Sequence, residues 1–289
     1  MQAGITRAAA IVATISGTAF GQAADWNNAL GGDWNTASNW TPGVVPNSST
    51  FDATLGLGGA YTVDYNFNGS LNTLNVTSPM ATLNIASSRA MIISGGSMFN
   101  AGSIVVNSAG SVFDSRLIFS NSAVISGAGE IFLGANSETG GNADARLQID
   151  GAFDVTIGAD QVVRGNGEMR GGSFVNLGTI RSEDPLGPGI LITSVIDQSG
   201  GGEIDLAGGV VWFEDNSFLV GGEVNGSSTG VLRISGSPAN IDDVTLNMPM
   251  EVLGGNDQLI MLGPVVNNST IILNPNLAVF NAQLVFGAD

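Results

Sequence analysis

The residues of this chain that could do chemistry are carboxylates, because the usual nucleophiles and metal ligands are missing from it. The 289-residue sequence contains no Cys, no His and no Lys, and its eight basic residues are all Arg. These absences exclude a Ser-His-Asp or Cys-His triad, a zinc site built from His or Cys, a Walker loop and a pyridoxal Schiff base. Carboxylate catalysis and calcium binding through oxygen ligands remain.

Three glutamates stand at equivalent places in short strand-like segments, each after a glycine and before an apolar residue. They are Glu130, Glu168 and Glu203, and Asp205 follows Glu203 by two residues. Because neighbouring side chains of a strand point to opposite faces, all four are predicted to form part of an exposed acidic column. A carboxylate pair there could serve glycoside hydrolysis or bind calcium, but an ordinary solvated strand face is the favoured interpretation.

Two further groups are candidates for ligand contact. Asp257 lies in residues 254–259, which are similar to half of a calcium-binding nonapeptide repeat, although such sites need tandem copies and only one occurs here. Trp26, Trp34 and Trp40 could stack on sugar rings, but a cap over the open end of a repeat structure is the favoured role for them. No catalytic residue and no cofactor is predicted, and calcium is the one metal considered.

A recurring Gly-x-Ile unit indicates what positions these side chains. Its apolar residue stands at positions 104, 131, 180, 204 and, more loosely, 232, so the intervals are 27, 49, 24 and 28 residues. Strand-like segments also recur about every 8 to 10 residues, and three of them fill one interval. The sequence therefore predicts an all-β, right-handed parallel β-helix (a β-solenoid) with three short strands per rung, and each glycine is expected at a corner that needs positive φ.

A β-sandwich is the alternative fold, since it also has short strands at regular spacing, but it does not predict a motif at a longer fixed period.

Residues 1–23 have the layout of a secretory signal peptide, with Arg7 before an apolar run and small residues at the cleavage site. Residues 24–51 are predicted to form the Trp-rich cap. Residues 52–289 are predicted to form the solenoid, which is expected to continue beyond the end of the sequence because residues 284–289 still have strand pattern.

The formal charge of −17 argues against nucleic-acid binding, because the chain would repel phosphate backbones. No stretch after residue 23 is long and apolar enough to predict a transmembrane segment.

The Trp-Asn block, the signal peptide and the glycine repeats together resemble exported, repeat-rich surface proteins of Gram-negative and related bacteria, including autotransporter passenger regions and PEP-CTERM-type exported proteins. The residues that carry this resemblance are Gly32-Asp33-Trp34-Asn35, Ser38-Asn39-Trp40 with Pro46, and Asn176-Leu177-Gly178-Thr179-Ile180.

The resemblance implies a β-helical extracellular protein. We therefore expect an exported structural or adhesive protein of the cell surface or extracellular space, without catalytic activity, that could meet a glycan or another surface partner. A polysaccharide-active lyase or glycoside hydrolase is one alternative, and it would need converging acids and Arg. A carbohydrate-binding module is another, and it would need the three Trp to be exposed.

Overall fold

The computed structural model describes residues 21–135, 144–236, 238–277 and 281–287. Residues 1–20, which hold most of the predicted signal peptide, lie outside the described part. The described chain is a parallel β-solenoid of about ten turns, and its one helix there is a short 3₁₀ segment at Ala37–Asn39. The predicted β-solenoid is confirmed, and the β-sandwich alternative is wrong. No helix among the described residues has the length and apolar character needed to cross a membrane.

The strands are short and follow one another around the solenoid axis. In the first half they are β1 (Gln22–Trp26), β2 (Gly32–Asp33), β3 (Trp40–Thr41), β4 (Phe51–Leu55), β5 (Tyr61–Tyr65), β6 (Gly69–Leu71), β7 (Thr73–Val76), β8 (Ala81–Ile85), β9 (Ala90–Ile93), β10 (Ser97–Asn100), β11 (Ser103–Val106), β12 (Ser115–Phe119), β13 (Ala123–Ser126), β14 (Glu130–Gly134), β15 (Ala145–Ile149) and β16 (Asp154–Ile157). In the second half they are β17 (Val162–Asn176), β18 (Thr179–Arg181), β19 (Ile190–Asp197), β20 (Glu203–Leu206), β21 (Val210–Phe213), β22 (Phe218–Val220), β23 (Glu223–Gly226), β24 (Val231–Ile234), β25 (Ala239–Asp242), β26 (Val244–Leu246), β27 (Met250–Val252), β28 (Gln258–Met261), β29 (Val265–Asn267), β30 (Ile271–Leu273) and β31 (Gln283–Phe286).

The strands stack into three parallel faces, each turn contributing one segment to each face. Face 1 holds β1, β4, β7, β10, β13, β16, the end of β17, the end of β19, β22, β25, β28 and β31. Face 2 holds β2, β5, β8, β11, β14, the start of β17, β18, β20, β23, β26 and β29. Face 3 holds β6, β9, β12, β15, the middle of β17, the start of β19, β21, β24, β27 and β30.

The Gly-x-Ile repeat forms the inward column of face 2. Ile104 and Ile131 are register partners, and so are Ile180 and Ile204. Val163 stands between Ile131 and Ile180, so the 49-residue interval spans two turns. All five side chains are fully buried, and the column supplies apolar burial at every turn.

The looser member of the repeat, Leu232, does not belong to this column. Leu232 lies on face 3, where it pairs with Val211 and Met250. The face 2 column continues instead through Val224, the partner of Ile204. Both faces bury aliphatic side chains with the same period of two, so sequence spacing alone did not separate them.

The glycines of the repeat lie at a corner, but they are needed for close backbone contact and not for positive φ. Gly102, Gly129, Gly178 and Gly202 all have φ outside the left-handed region. A Cβ on Gly178 would lie 2.5 Å from the carbonyl oxygen of Gly158, and a Cβ on Gly102 would lie 2.7 Å from that of Ser78. The preceding turn therefore leaves no room for any side chain at this corner.

Buried amide side chains donate hydrogen bonds to backbone carbonyl groups at the same corner. Asn100 and Gln161 are almost fully buried, and Nδ2 of Asn100 lies 3.2 Å from Oε1 of Gln161. Nε2 of Gln161 donates to the carbonyl oxygen of Asn100 at 2.6 Å and to that of Gly127 at 2.7 Å. Asn176 donates to the carbonyl oxygen of Glu203 at 3.1 Å. Turns leave carbonyl groups that strands do not pair, and these amides provide their hydrogen bonds.

Candidate functional site

Three of the four predicted acids point outward from face 2. Glu130 is the register partner of Ser103 and Val162, and Glu203 is the partner of Thr179. Glu130 and Glu203 thus share one outward column (the Glu203 column), with Val162 and Thr179 between them. Asp205 lies two residues further along β20, in the neighbouring outward column, opposite Arg181.

Two of these acids are engaged by arginines of neighbouring turns. Nε of Arg164 lies 2.7 Å from Oε2 of Glu130, and Nε of Arg181 lies 2.8 Å from Oδ2 of Asp205. Nη1 of Arg164 also lies 2.7 Å from Oε1 of Glu183. The hydrogen bond from Arg164 lowers the pKa of Glu130 below its ordinary value of 4.5, against the opposing effect of burial. These carboxylates therefore link adjacent turns.

A pair of adjacent acids was not predicted. Glu203 faces Glu223 on the next turn, in the same column. Nδ2 of Asn225 lies 3.1 Å from Oε2 of Glu203 and 3.1 Å from Oε2 of Glu223, so one amide bridges both carboxylates. Asn225 also accepts from Nδ2 of Asn247 at 2.7 Å, and Asn247 accepts from Asn268 at 2.8 Å. A cavity of about 220 Å³ borders the pair at the corner of faces 1 and 2.

The sequence did contain a signal for the missed acid. Gly222-Glu223-Val224 has the same order of glycine, variable residue and apolar residue as the repeat. It was overlooked because Val replaces Ile, although both β-branched side chains suit an inward strand position.

Glu168 departs from the predicted exposed column. It lies on face 3, opposite Arg146, and it is only 5% exposed. Nε of Arg146 lies 2.6 Å from Oε2 of Glu168, while Thr193 donates to Oε1 at 3.2 Å and Nη1 of Arg170 lies 3.7 Å from Oε1. The prediction failed because β17 runs through all three faces without a loop, so Glu168 begins a face 3 segment and its neighbours pack over the carboxylate.

A polar cavity of about 380 Å³ opens beside Glu168, and we call it the face 3 groove. Its residues come from three consecutive turns and include acids, a base, a hydroxyl and an aliphatic side chain. They are Glu168, Arg170, Gly171, Leu191, Thr193, Glu214 and Asp215.

Asp257, the predicted calcium candidate, lies directly before β28. It follows a glycine-rich turn, is 6% exposed, and has its pKa raised by burial, with a smaller opposing effect from a backbone hydrogen bond at Gly236. In the described ranges, no group of three or more acidic residues is placed to hold a metal ion.

The three tryptophans are buried, so the alternative in which they stack on sugar rings is wrong, and the cap was the favoured interpretation. Trp26, Trp34 and Trp40 are 2%, 0% and 1% exposed. The centroids of Trp34 and Trp40 are 4.5 Å apart at 65°, and those of Trp26 and Trp40 are 5.1 Å apart at 85°. Tyr65 extends this edge-to-face cluster at 5.2 Å from Trp34.

The cluster covers the first turn of the solenoid. β3 pairs antiparallel with β1, which itself pairs parallel with β4, so the outer edge of the first strand has a partner. Each indole N–H is satisfied locally: Trp26 donates to the Asn28 carbonyl at 2.7 Å, Trp34 to that of Pro46 at 3.0 Å, and Trp40 to that of Trp34 at 2.7 Å. This arrangement closes an end that would otherwise expose core and unpaired strand edges.

Fold and site together define an acidic β-solenoid in which four arginines form ion pairs with acids of neighbouring turns. No protein-family model, curated protein or solved structure matches this chain.

Proposed function

We propose that this chain is an exported β-solenoid without catalytic activity that acts as a structural or adhesive protein at the cell surface or in the extracellular space. The observation that carries the proposal is the pairing of outward acids with arginines. Glu130, Glu168 and Asp205 each have an Arg nitrogen within 2.8 Å. A carboxylate held in this way has little freedom to act as a nucleophile or general base.

The distribution of the acids supports the same proposal. Glycosidases need two carboxyl groups about 5 to 9.5 Å apart across the scissile bond. The predicted acids are divided between faces, with Glu168 on face 3 and Glu130, Glu203 and Asp205 on face 2. A lyase would also need a free cationic group beside its acids on face 2 to bind the substrate carboxylate, whereas Arg164 and Arg181 are ion-paired with Glu130 and Asp205 there.

Export is supported by the sequence of residues 1–23. The full chain would be expressed in a Gram-negative host, and the N-terminus of the purified protein determined by mass spectrometry. We expect a mature chain that begins at Ala24, and protease treatment of intact cells should degrade the part that reaches the surface. An uncleaved chain that stays inside the cell would contradict the proposal.

The polysaccharide-active enzyme remains the second candidate, and the adjacent acids Glu203 and Glu223 are the observation that favours it. The test is release of reducing ends, or of unsaturated products, from a panel of polysaccharides by the purified full chain. We expect no release. Release that is abolished by Glu203→Gln or Glu223→Gln, but kept by the Asp205→Asn control, would establish the enzyme.

A further inference from the structure

The face 3 groove is shaped by a break in an otherwise regular stack. Arg170 pairs with Thr193 and Ser173 pairs with Val195, so two glycines, Gly171 and Gly172, stand opposite the single Ser194. Both glycines have positive φ, at 74° and 45°. A Cβ on Gly172 would lie 2.5 Å from the carbonyl oxygen of Phe153, so the bulge requires glycine. Such bulges bend a strand and redirect its side chains.

The floor of the groove is a fixed carboxylate. Glu168 is held from behind by Arg146 at 2.6 Å and accepts from Thr193 at 3.2 Å in front. A buried ion pair of this kind is weak evidence for stability, because desolvation of the charges offsets their attraction. It does, however, hold an acceptor oxygen and the neighbouring hydroxyl at fixed positions beside the cavity.

Side chains at the walls of the groove have N–H groups and carboxylate oxygens that can hydrogen-bond to a ligand. The side chain of Arg170 is 46% exposed, and its ion pair with Glu168 is long, at 3.7 Å. Its guanidinium therefore has N–H groups that can donate to another molecule. Across the groove, Glu214 accepts from Ser235 and Asp215 is exposed, so carboxylate oxygens there can accept. Leu191, the register partner of Glu168 in the next turn, adds an apolar surface to the same cavity.

We infer that the face 3 groove binds a neutral saccharide. A sugar hydroxyl can donate to Glu214 or Asp215 and accept from Arg170, while ring C–H groups pack on Leu191. The volume of about 380 Å³ falls in the range of about 300 to 1,000 Å³ found for small-molecule sites. A chain with a formal charge of −17 repels anionic polysaccharides, which favours a neutral ligand.

This inference names a ligand class for the proposed adhesive role, and its test is independent of export. The purified full chain would be run by affinity electrophoresis through gels that contain galactomannan, xyloglucan or starch, with polygalacturonate as the anionic comparison. We expect retardation by at least one neutral polysaccharide. Arg170→Ala should weaken that binding about tenfold or more, because hydrogen bonds to charged groups are the strong ones.

Arg181→Ala is the matched control, since its side chain is similarly exposed at 39% but lies on face 2. It should bind as the unchanged chain does, and circular dichroism should show that both variants are folded. Three results would each overturn the inference: no retardation in any neutral gel, retardation by polygalacturonate alone, or equal weakening by Arg170→Ala and Arg181→Ala. If the chain binds a neutral polysaccharide but is not exported, the saccharide site in the face 3 groove is supported and only the proposed extracellular location is wrong.

Discussion

Arg146 and Glu168 form a nearly buried ion pair across two turns of face 3, with Nε 2.6 Å from Oε2 and side-chain exposures of 10% and 6%. Nη1 of Arg146 also lies 2.5 Å from Oδ2 of Asp114, which is 43% exposed. The Arg thus connects a buried acid to one at the surface. Its stabilising effect depends on both partners remaining, because an unpaired buried charge is costly.

Removing one partner of this pair should be far more damaging than removing both. We expect Arg146→Met to lower the free energy of unfolding by about 3 kcal/mol, because the buried Glu168 would keep only Arg170, at 3.7 Å, as a charged partner. The double variant Arg146→Met with Glu168→Leu should lose much less. Asp205→Asn, at the more exposed pair with Arg181, should cost less than about 1 kcal/mol. Urea titrations followed by circular dichroism measure all three, and a double variant as unstable as Arg146→Met would contradict the argument.

The corner glycines should not tolerate even a methyl group. Gly178→Ala would place its Cβ against the carbonyl oxygens of Gln161 and Gly158, so we expect a loss of about 2 kcal/mol or more from overpacking. Gly58 is the control, because a Cβ there meets nothing within 4 Å and its φ is not left-handed. Gly58→Ala should be neutral or slightly stabilising. Thermal unfolding of the two variants compares them, and equal midpoints would show that the corner can expand.

The solenoid was predictable because its rungs repeat one physical constraint. Inward residues of face 2 must be apolar in every turn. The corner residue must be glycine because the backbone of the preceding turn leaves no room for a Cβ. The sequence therefore repeats at both places. Val163 escaped the pattern because no Gly precedes it by two residues, which made two turns look like one long interval.

The candidate site was less predictable because it depends on contacts between turns. The burial of Glu168 requires Arg146, which is 22 residues away, and requires β17 to pass a corner without a loop. The face 3 groove depends on a two-glycine bulge whose effect appears only when Thr193 and Glu214 stack beside Arg170. Local periodicity carries no information about which outward side chains become neighbours.

The tryptophan cap should be essential for solubility as well as stability. Trp34 is fully buried and contacts Trp40 and Tyr65, so we expect Trp34→Ala to cost about 3 to 5 kcal/mol. The opened end should also bind a hydrophobic dye and promote aggregation. Trp212 is the control, since it is only partly buried on face 3 beneath Arg233. Dye fluorescence and light scattering should rise for Trp34→Ala and stay low for Trp212→Ala; similar increases would argue against a special role for the cap.

Glu130 and Asp257 should affect the pH dependence of stability in opposite directions. The pKa of Glu130 is lowered by its hydrogen bond with Arg164, so the unfolded chain holds this proton more tightly than the folded one. Its stabilising effect is therefore present above the ordinary pKa of 4.5 and is lost as pH falls through the lower folded value. Glu130→Gln should destabilise the protein at neutral pH, and the difference should shrink in acid.

Burial raises the pKa of Asp257, so ionisation of this group opposes folding at neutral pH. Asp257→Asn keeps an oxygen that can accept the hydrogen bond at Gly236, and it should be neutral or stabilising at pH 7. Any gain should begin to shrink as the pH falls below the raised pKa, and it should vanish below the ordinary value of 3.8, where the carboxyl is protonated in the unfolded chain as well. Urea midpoints of both variants and the unchanged chain between about pH 3 and pH 7 decide the question. Parallel curves for Glu130→Gln and Asp257→Asn would contradict the assigned directions.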